Sequence, residues 1–318
     1  MEKTASQIKD LILSSSSIAI LSHINPDGDS IGSSMALKYA IKELGKQADV
    51  FIDEPIHSNF SFLRTNEINQ SQQNNYDLVF VLDCPEIKRV GECMKYISPN
   101  SKLVNIDHHP DNANFAQTII SRTDYCSTCL ILYDIFKQWN IDINPFIATC
   151  LYTGIATDTG CFIHNNTDIK AHISAGELID KKADFELVNF LMFTRKTVKQ
   201  VKLFSALLNE LILECDNQVA IACITQKMFE QTNTSKDDAI GYVSYLNGIE
   251  TVKFAIVMQE QRPNVFLVSI RSRDMSAKKI ANHFGGGGHE KASGCKIFAN
   301  KNFAIMQLLE ECKKELRK

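Results

Sequence analysis

The sequence predicts an α/β protein: a parallel sheet with helices on both faces, followed by a smaller C-terminal α/β unit. Short apolar runs such as SIAILSH (17–23) and YDLVFVLDC (76–84) alternate with helix-like segments over roughly the first 165 residues. Those runs are apolar at nearly every position rather than at alternate ones, the pattern of strands buried on both faces. Near residue 215 the text changes character, and later strand-like stretches lead into the glycine-rich NHFGGGGHEKASGC (282–295).

Taken in order, SIAILSH is the first strand and DSIGSSMALKYAIKELGK (29–46) a helix. Met35, Ala36, Tyr39, Ala40 and Leu44 share one face of that helix, and Gly45 suits its C-terminal cap. ADVFID (48–53), YDLVFVLDC and SKLVNIDHH (101–109) are the next strands. STCLILYDIFKQW (127–139) and NPFIATCLYTGIATDTG (144–160) read as helices, the second ending near Thr157. From 168 to 212 the text is helical and charged, which suggests a connecting region with one or two long helices. QVAIACIT (218–225), VKFAIVMQE (252–260) and NVFLVSIRS (264–272) are strands, MSAKKIANHF (275–284) begins a helix into the glycine run, and a last helix closes the chain. The expected organisation is an N-terminal domain over 1–185, a helical linker over 186–215 and a C-terminal domain over 216–318.

Of 318 residues, 44% are apolar and 22% charged, an ordinary globular composition with ample material for a core. The net charge of −3 excludes a global basic surface, so long duplex nucleic acid is not an expected partner and any nucleic-acid substrate should be short. The N-terminal MEKTASQIKD has no signal-peptide core, and no apolar run approaches membrane-spanning length; a cytoplasmic protein with no membrane partner is expected. Ten cysteines lack paired zinc-finger spacing, and Cys126 and Cys129 have no second pair to complete a zinc site. They read as reduced, mostly buried thiols.

The polar residues that break this pattern fall at strand ends. His23 ends the first strand, with Asp27 and Asp29 in the loop beyond it; Asp83 ends the third. Asp107, His108 and His109 end the fourth, and Asp158 sits in ATDTG just past a helix. Taken singly, NPDGD is a turn and a lone Asp after a strand is a helix N-cap. Together they converge on one edge of a parallel sheet, where open α/β folds bind ligands. Imidazole and carboxylate groups without thiolate suit hard-to-borderline divalent ions such as Mn²⁺. A pair of such ions needs a bridging carboxylate, and Asp83, alone on the middle strand, is the natural one. This is the donor set of a two-metal phosphoesterase.

HINPDGDSIGS, VLDCPE, NIDHHPDN and GIATDTGCF resemble, in order, the four motifs of the DHH phosphoesterase family, and GGGGHEKASG resembles the family's associated C-terminal domain. The match covers nearly the whole chain, and its pattern is similar to the branch of oligoribonucleases that also hydrolyse pAp. The resemblance implies two cations, Mn²⁺ or else Mg²⁺: His23 and Asp27 on the first, Asp29, His108 and Asp158 on the second, with Asp83 shared. It implies that His109 faces the scissile phosphate and that Asp107 orients the His pair. Short RNA or small nucleotides such as pAp, with cyclic di-AMP as an alternative, are the implied substrates; a homodimer stays open.

Four consecutive glycines, Gly285, Gly286, Gly287 and Gly288, call for left-handed backbone or very close approach, either in a flexible hairpin tip or in a cradle of N–H groups around an anion. His289 follows, and Arg271 and Arg273 end a nearby strand; such a set suits a phosphate. The resemblance implies that Arg271 and this loop grip the non-reacting end of a nucleotide, while Arg273 reads equally as a surface charge. Where the family usually has Ala-Ala-Gly, this chain has Ala292, Ser293 and Gly294, adding a hydroxyl near the bound ligand. The expected mechanism is cutting by the first domain and holding by the second, which selects short substrates. Rival readings are a cyclic di-AMP or pApA phosphodiesterase, a single-strand exonuclease and a non-catalytic nucleotide sensor.

Overall fold

The computed structural model describes residues 2–239 and 241–318. Its contacts separate two units, Met1–Arg195 and Lys196–Lys318. The first contains α1 (Glu2–Ser14), β1 (Ile18–Ser22), α2 (Gly28–Glu43), β2 (Asp49–Phe51), β3 (Leu78–Leu82), β4 (Lys102–Asp107) and β5 (Thr118–Ser121). Helices α3 (Thr128–Trp139), α4 (Pro145–Asp158), α5 (Ile169–Asp180) and α6 (Phe185–Asn189) complete it.

The five strands form one parallel sheet in the order β2-β1-β3-β4-β5. Burial explains why β1 and β3 are apolar throughout: Ile18 and Ile20 enter one core with α2, α3 and α4, while Ala19 and Leu21 enter another with Phe51, Val79 and Val81. The chain leaves β1 toward β2 and returns to place β3 on the other side. The switch point therefore lies between the carboxyl ends of β1 and β3, where such sheets open a ligand crevice.

Helix α1 and strand β5 of the first unit had no expectation in the sequence. Helix α1 is short and polar, yet Ala5, Ile8 and Ile12 are buried on one stripe, and the Trp139 indole N–H donates to the Ala5 carbonyl at 2.9 Å. Strand β5 buries only Ile120 among its four residues, so it lacks the continuous apolar run of the inner strands. Between 168 and 212 there are three separate helices instead of one or two long ones. Lys182 adopts φ +67°, and Asp184 caps the start of α6 through the Leu187 N–H. The expected linker divides: Val188 packs into the first unit's core, and Leu203 and Leu207 into the second's.

The second unit comprises α7 (Val198–Asn209), β6 (Ile212–Glu214), β7 (Val219–Ile224), α8 (Gln226–Thr232), α9 (Tyr242–Asn247), β8 (Phe254–Arg262) and β9 (Val265–Arg271). It continues through α10 (Ala277–His283), β10 (Gly287–His289), β11 (Ala292–Phe298) and α11 (Lys301–Leu316). Its mixed sheet runs β10-β11-β9-β8-β7-β6, with only β7 and β8 parallel. Ile221, Ile256 and Ile270 face a core with α10 and α11; Ala220, Ala222 and Ala255 face another with α7 and α9. No helix among the described residues is long and apolar enough to cross a membrane.

Helix α4 passes α2 and α3 so closely that a Cβ on Gly154 would overlap the Asp29 carboxylate and the Cys129 thiol. Gly154→Ala should therefore lower stability by about 1–3 kcal/mol, the usual cost of overpacking, read as a lower urea midpoint.

Candidate metal centre and anion-binding face

His23 follows β1, and its Nδ1 lies 2.6 Å from the Ile24 carbonyl. A proton on Nδ1 satisfies that contact and leaves Nε2 facing Asp83 Oδ2 at 3.4 Å and Asp27 Oδ1 at 3.9 Å. Asp27 and Asp29 do not sit in a loop, as the sequence suggested. Asp27 is the N-cap of α2, its Oδ1 accepting the Asp29 and Ser30 N–H groups at 3.1 and 3.0 Å. Asp29 lies within the first turn, fully buried. Capping and a place in the cluster are compatible, because a capping carboxylate keeps lone pairs for another partner.

Asp83, beyond β3, occupies the middle of the group. Its backbone is left-handed, φ +53°, a conformation uncommon outside glycine though less so for Asp. The Asp83 N–H donates to Ile106 O at 3.0 Å, and the Asn105 amide donates to Val81 O and Cys84 O at 3.0 and 3.2 Å, pinning the turn from both sides.

From β4, His108 Nε2 approaches Asp158 Oδ2 at 3.2 Å, Asp83 Oδ1 at 3.5 Å and Asp29 Oδ2 at 4.0 Å. Asp158 is the last residue of α4 rather than a residue past it. Three groups could each hold a cation, their donor atoms within 4.8 Å: His23, Asp27 and Asp83; Asp29, His108 and Asp158; Asp83, His108 and His109. His109 Nδ1 lies 2.8 Å from Asp107 Oδ1, and the Asn112 amide donates to Asp107 Oδ2 at 2.6 Å and to Asn105 Oδ1 at 2.7 Å. One partly buried chain of hydrogen bonds thus links the β3 turn to His109.

The electrostatics show what the group lacks. Burial and the charges of Asp83 and Asp158 hold Asp29 well above the usual carboxylate range; burial pushes Asp158 up to about 6 despite its bond to His108. Asp83 moves the other way: burial opposes ionisation, but contacts to His23, His108 and His109 outweigh it and lower the value. Burial opposes charge on His108 and His23 as well, yet the carboxylates win, raising His23 and taking His108 to about 10. Every ion pair of Asp27, Asp29, Asp83 and Asp158 among the described residues is with histidine. Clustered carboxylates and imidazoles, with no Lys or Arg ion-paired to them among the described residues, form a donor set that suits divalent cations.

Sequence reasoning missed Asn105, Asn112 and Thr128. The signal for Asn105 was an amide inside an otherwise apolar strand; Asn112 lay within NIDHHPDN without a role; Thr128, after the N-cap Ser127, resembled ordinary helix capping.

In the second unit, Arg271, Ala292 and His289 lie in one row across β9, β11 and β10. Arg271 is half-buried, and burial alone pulls its guanidinium below the usual value; its one hydrogen bond among the described residues goes to Ile270 O at 3.1 Å. The glycine run is not a flexible tip. Gly285 and Gly286 return their N–H groups to Asn282 O and Ala281 O, so the expected open cradle is narrower than four amides. Gly287 and Gly288 enter edge strand β10, where a Cβ on Gly288 would crowd the Ala292 carbonyl at 2.7 Å. The Ser293 hydroxyl donates to His289 O at 2.7 Å and ties the hairpin instead of standing free for a ligand. Arg273 is exposed, as the surface-charge reading expected, and donates to Ile249 O and Glu250 O at the turn after α9.

The DHH family N-terminal domain model matches residues 17–155, and the DHHA1 domain model matches 216–315. The chain belongs to the DHH family. The bifunctional oligoribonuclease and PAP phosphatase NrnA of Mycoplasma genitalium is 28% identical over 306 residues, covering 94% of this chain and 93% of that protein. The NrnA of Thermus thermophilus is 29% identical over 308 residues, covering 94% and 90%. Among solved structures, an exopolyphosphatase-related protein from Bacteroides fragilis superposes with a TM-score of 0.88 at 24% identity, covering 100% and 98% of the two chains. RecJ of T. thermophilus in complex with Mn²⁺ superposes with a TM-score of 0.52 at 14% identity, covering 97% of this chain and 53% of that one.

Asn112→Ala would remove both amide bonds and leave His109 as the remaining side-chain partner of Asp107 among the described residues. Turnover in phosphoester hydrolysis should fall about 10–100-fold, with a smaller change in KM, measured by steady-state kinetics.

Proposed function

We propose that this DHH-family chain is a two-metal phosphoesterase that hydrolyses short oligoribonucleotides to mononucleotides and pAp to AMP and phosphate. One observation carries the reading: Asp83 turns Oδ2 to His23 at 3.4 Å and Oδ1 to His108 at 3.5 Å, joining two candidate ligand groups through one carboxylate. The NrnA relatives, matched over most of their length, support the substrate class.

In this reading His23 and Asp27 hold one cation, Asp29, His108 and Asp158 the other, and Asp83 both. Mn²⁺ suits the donors best and Mg²⁺ next. Such cations supply Lewis-acid neutralisation of phosphate charge and acidify water. The protein contributes the rest. With Nδ1–H donated to Asp107, which favours the cationic ring, His109 in that form presents Nε2–H as a donor toward a phosphate oxygen. Arg271, His289 and the backbone of Gly287 and Gly288, with Gly285 and Gly286 shaping the turn, hold the non-reacting end of the nucleotide.

The test offers purified protein pAp, a dinucleotide, a five-mer RNA, cyclic di-AMP and pyrophosphate, each with Mn²⁺ or Mg²⁺. Release of AMP from pAp and of mononucleotides from RNA is expected; cleavage of cyclic di-AMP alone would replace this reading with that of a cyclic-dinucleotide phosphodiesterase. Asp83→Asn tolerates the left-handed backbone better than Asp83→Ala and should still abolish hydrolysis in the same assay. Arg271→Ala should raise KM for pAp about 10–100-fold, the worth of a charged hydrogen bond, with turnover little changed; a fall in turnover at constant KM would remove the holding role.

A further inference from the structure

The first turn of α3 is tied to the carboxylate cluster from far along the chain. A helix leaves its first N–H groups without partners in its own ladder, and here those of Thr128, Cys129 and Leu130 find them outside it. Thr128 N–H donates to Asp29 Oδ2 at 2.6 Å, and Cys129 N–H to Asp29 Oδ1 at 2.9 Å. Leu130 N–H goes to the Ser127 hydroxyl at 3.1 Å, and Ile131 N–H to the Ser127 carbonyl at 3.4 Å. The Thr128 hydroxyl remains, and it donates to Asp83 Oδ1 at 3.1 Å. Thr128 and Asp29 are fully buried and Asp83 is 2% exposed, so no solvent competes for these bonds.

We propose that Thr128 is the positioning residue of the cation centre: with the α3 N-terminus it sets Asp29 and Asp83 in binding orientation before any cation arrives. The inference rests on the two-metal reading above. A carboxylate free to rotate could offer either oxygen to either side. The hydroxyl fixes Asp83 Oδ1 toward His108 and leaves Oδ2 for His23. Each bond occupies one lone pair, so every oxygen of Asp29 and Asp83 keeps another for a cation. The helix N-terminus favours negative charge where no Lys or Arg does. Ligands already oriented lose less freedom on binding, which raises affinity without adding a contact.

Three variants separate the hydroxyl from the methyl: Thr128→Val, Thr128→Ala and Thr128→Ser. The readout is the Mn²⁺ dissociation constant by competition with a fluorescent chelator, alongside the Mn²⁺-induced rise in Tm. Thr128→Val and Thr128→Ala should bind Mn²⁺ about 10–100-fold more weakly than wild type, and Thr128→Ser within about threefold. Hydrolysis of pAp by Thr128→Val, low at limiting Mn²⁺, should return to the wild-type rate at saturating Mn²⁺, which a packing defect would not show. Should Thr128→Val not fold, the Ala and Ser variants carry the comparison, since they differ by the hydroxyl alone. Wild-type affinity in Thr128→Ala, or equal loss in Thr128→Ser, overturns the positioning role. Failure of the wild-type protein to bind Mn²⁺ overturns the two-metal reading beneath it.

Discussion

The first unit is organised around a repulsion. Asp27, Asp29, Asp83 and Asp158 surround two imidazoles within hydrogen-bonding reach or little beyond it. Two like charges 4 Å apart oppose one another by about 1 kcal/mol in water and about 4 kcal/mol near a protein surface. The fold answers with dipoles and titratable groups: the α2 N-terminus at Asp27, the α3 N-terminus at Asp29, and His23 and His108 between them. None of these is a permanent cation. A ligand carrying two positive charges therefore gains from the cluster, and the unit that binds it gains the same free energy in stability.

Topology explains why this occurs at one place. A parallel sheet sends all its carboxyl ends to the same edge, and the order β2-β1-β3-β4-β5 parts the chain between β1 and β3. His23 and Asp83 leave from those two strands, and His108 and His109 from the next. Asp83 needs a left-handed backbone to present both oxygens, and Asn105, one strand away, holds the turn that permits it. A polar residue in the middle of a buried strand is thus part of the site's support.

Much of this was legible in the sequence because burial on both faces leaves a plain mark: β1 and β3 are apolar at almost every position, and polar residues resume where each ends. The ligand candidates His23 and Asp83 stood out for that reason, whereas His108 follows β4 and Asp158 ends helix α4. What was hidden depends on contacts across sequence distance. Nothing near STCL shows that Thr128 faces Asp29 and Asp83, 99 and 45 positions away, since the same letters begin any capped helix. Helix α1 was hidden by its own polarity, because only Ala5, Ile8 and Ile12 are buried, with Leu11 packed partly against the core. The glycine run was legible as a demand for close approach, but which amides stay open depends on how α10 ends, with Gly285 and Gly286 turned back onto the helix.

The contact between Trp139 and α1 has an optical consequence. Trp139 is the chain's single tryptophan, 3% exposed and bonded to Ala5 O within the first unit. Its emission therefore watches the parallel-sheet half alone, whereas circular dichroism sums both halves. Divergence of the two signals during denaturation would reveal that the halves melt separately, without dissecting the polypeptide.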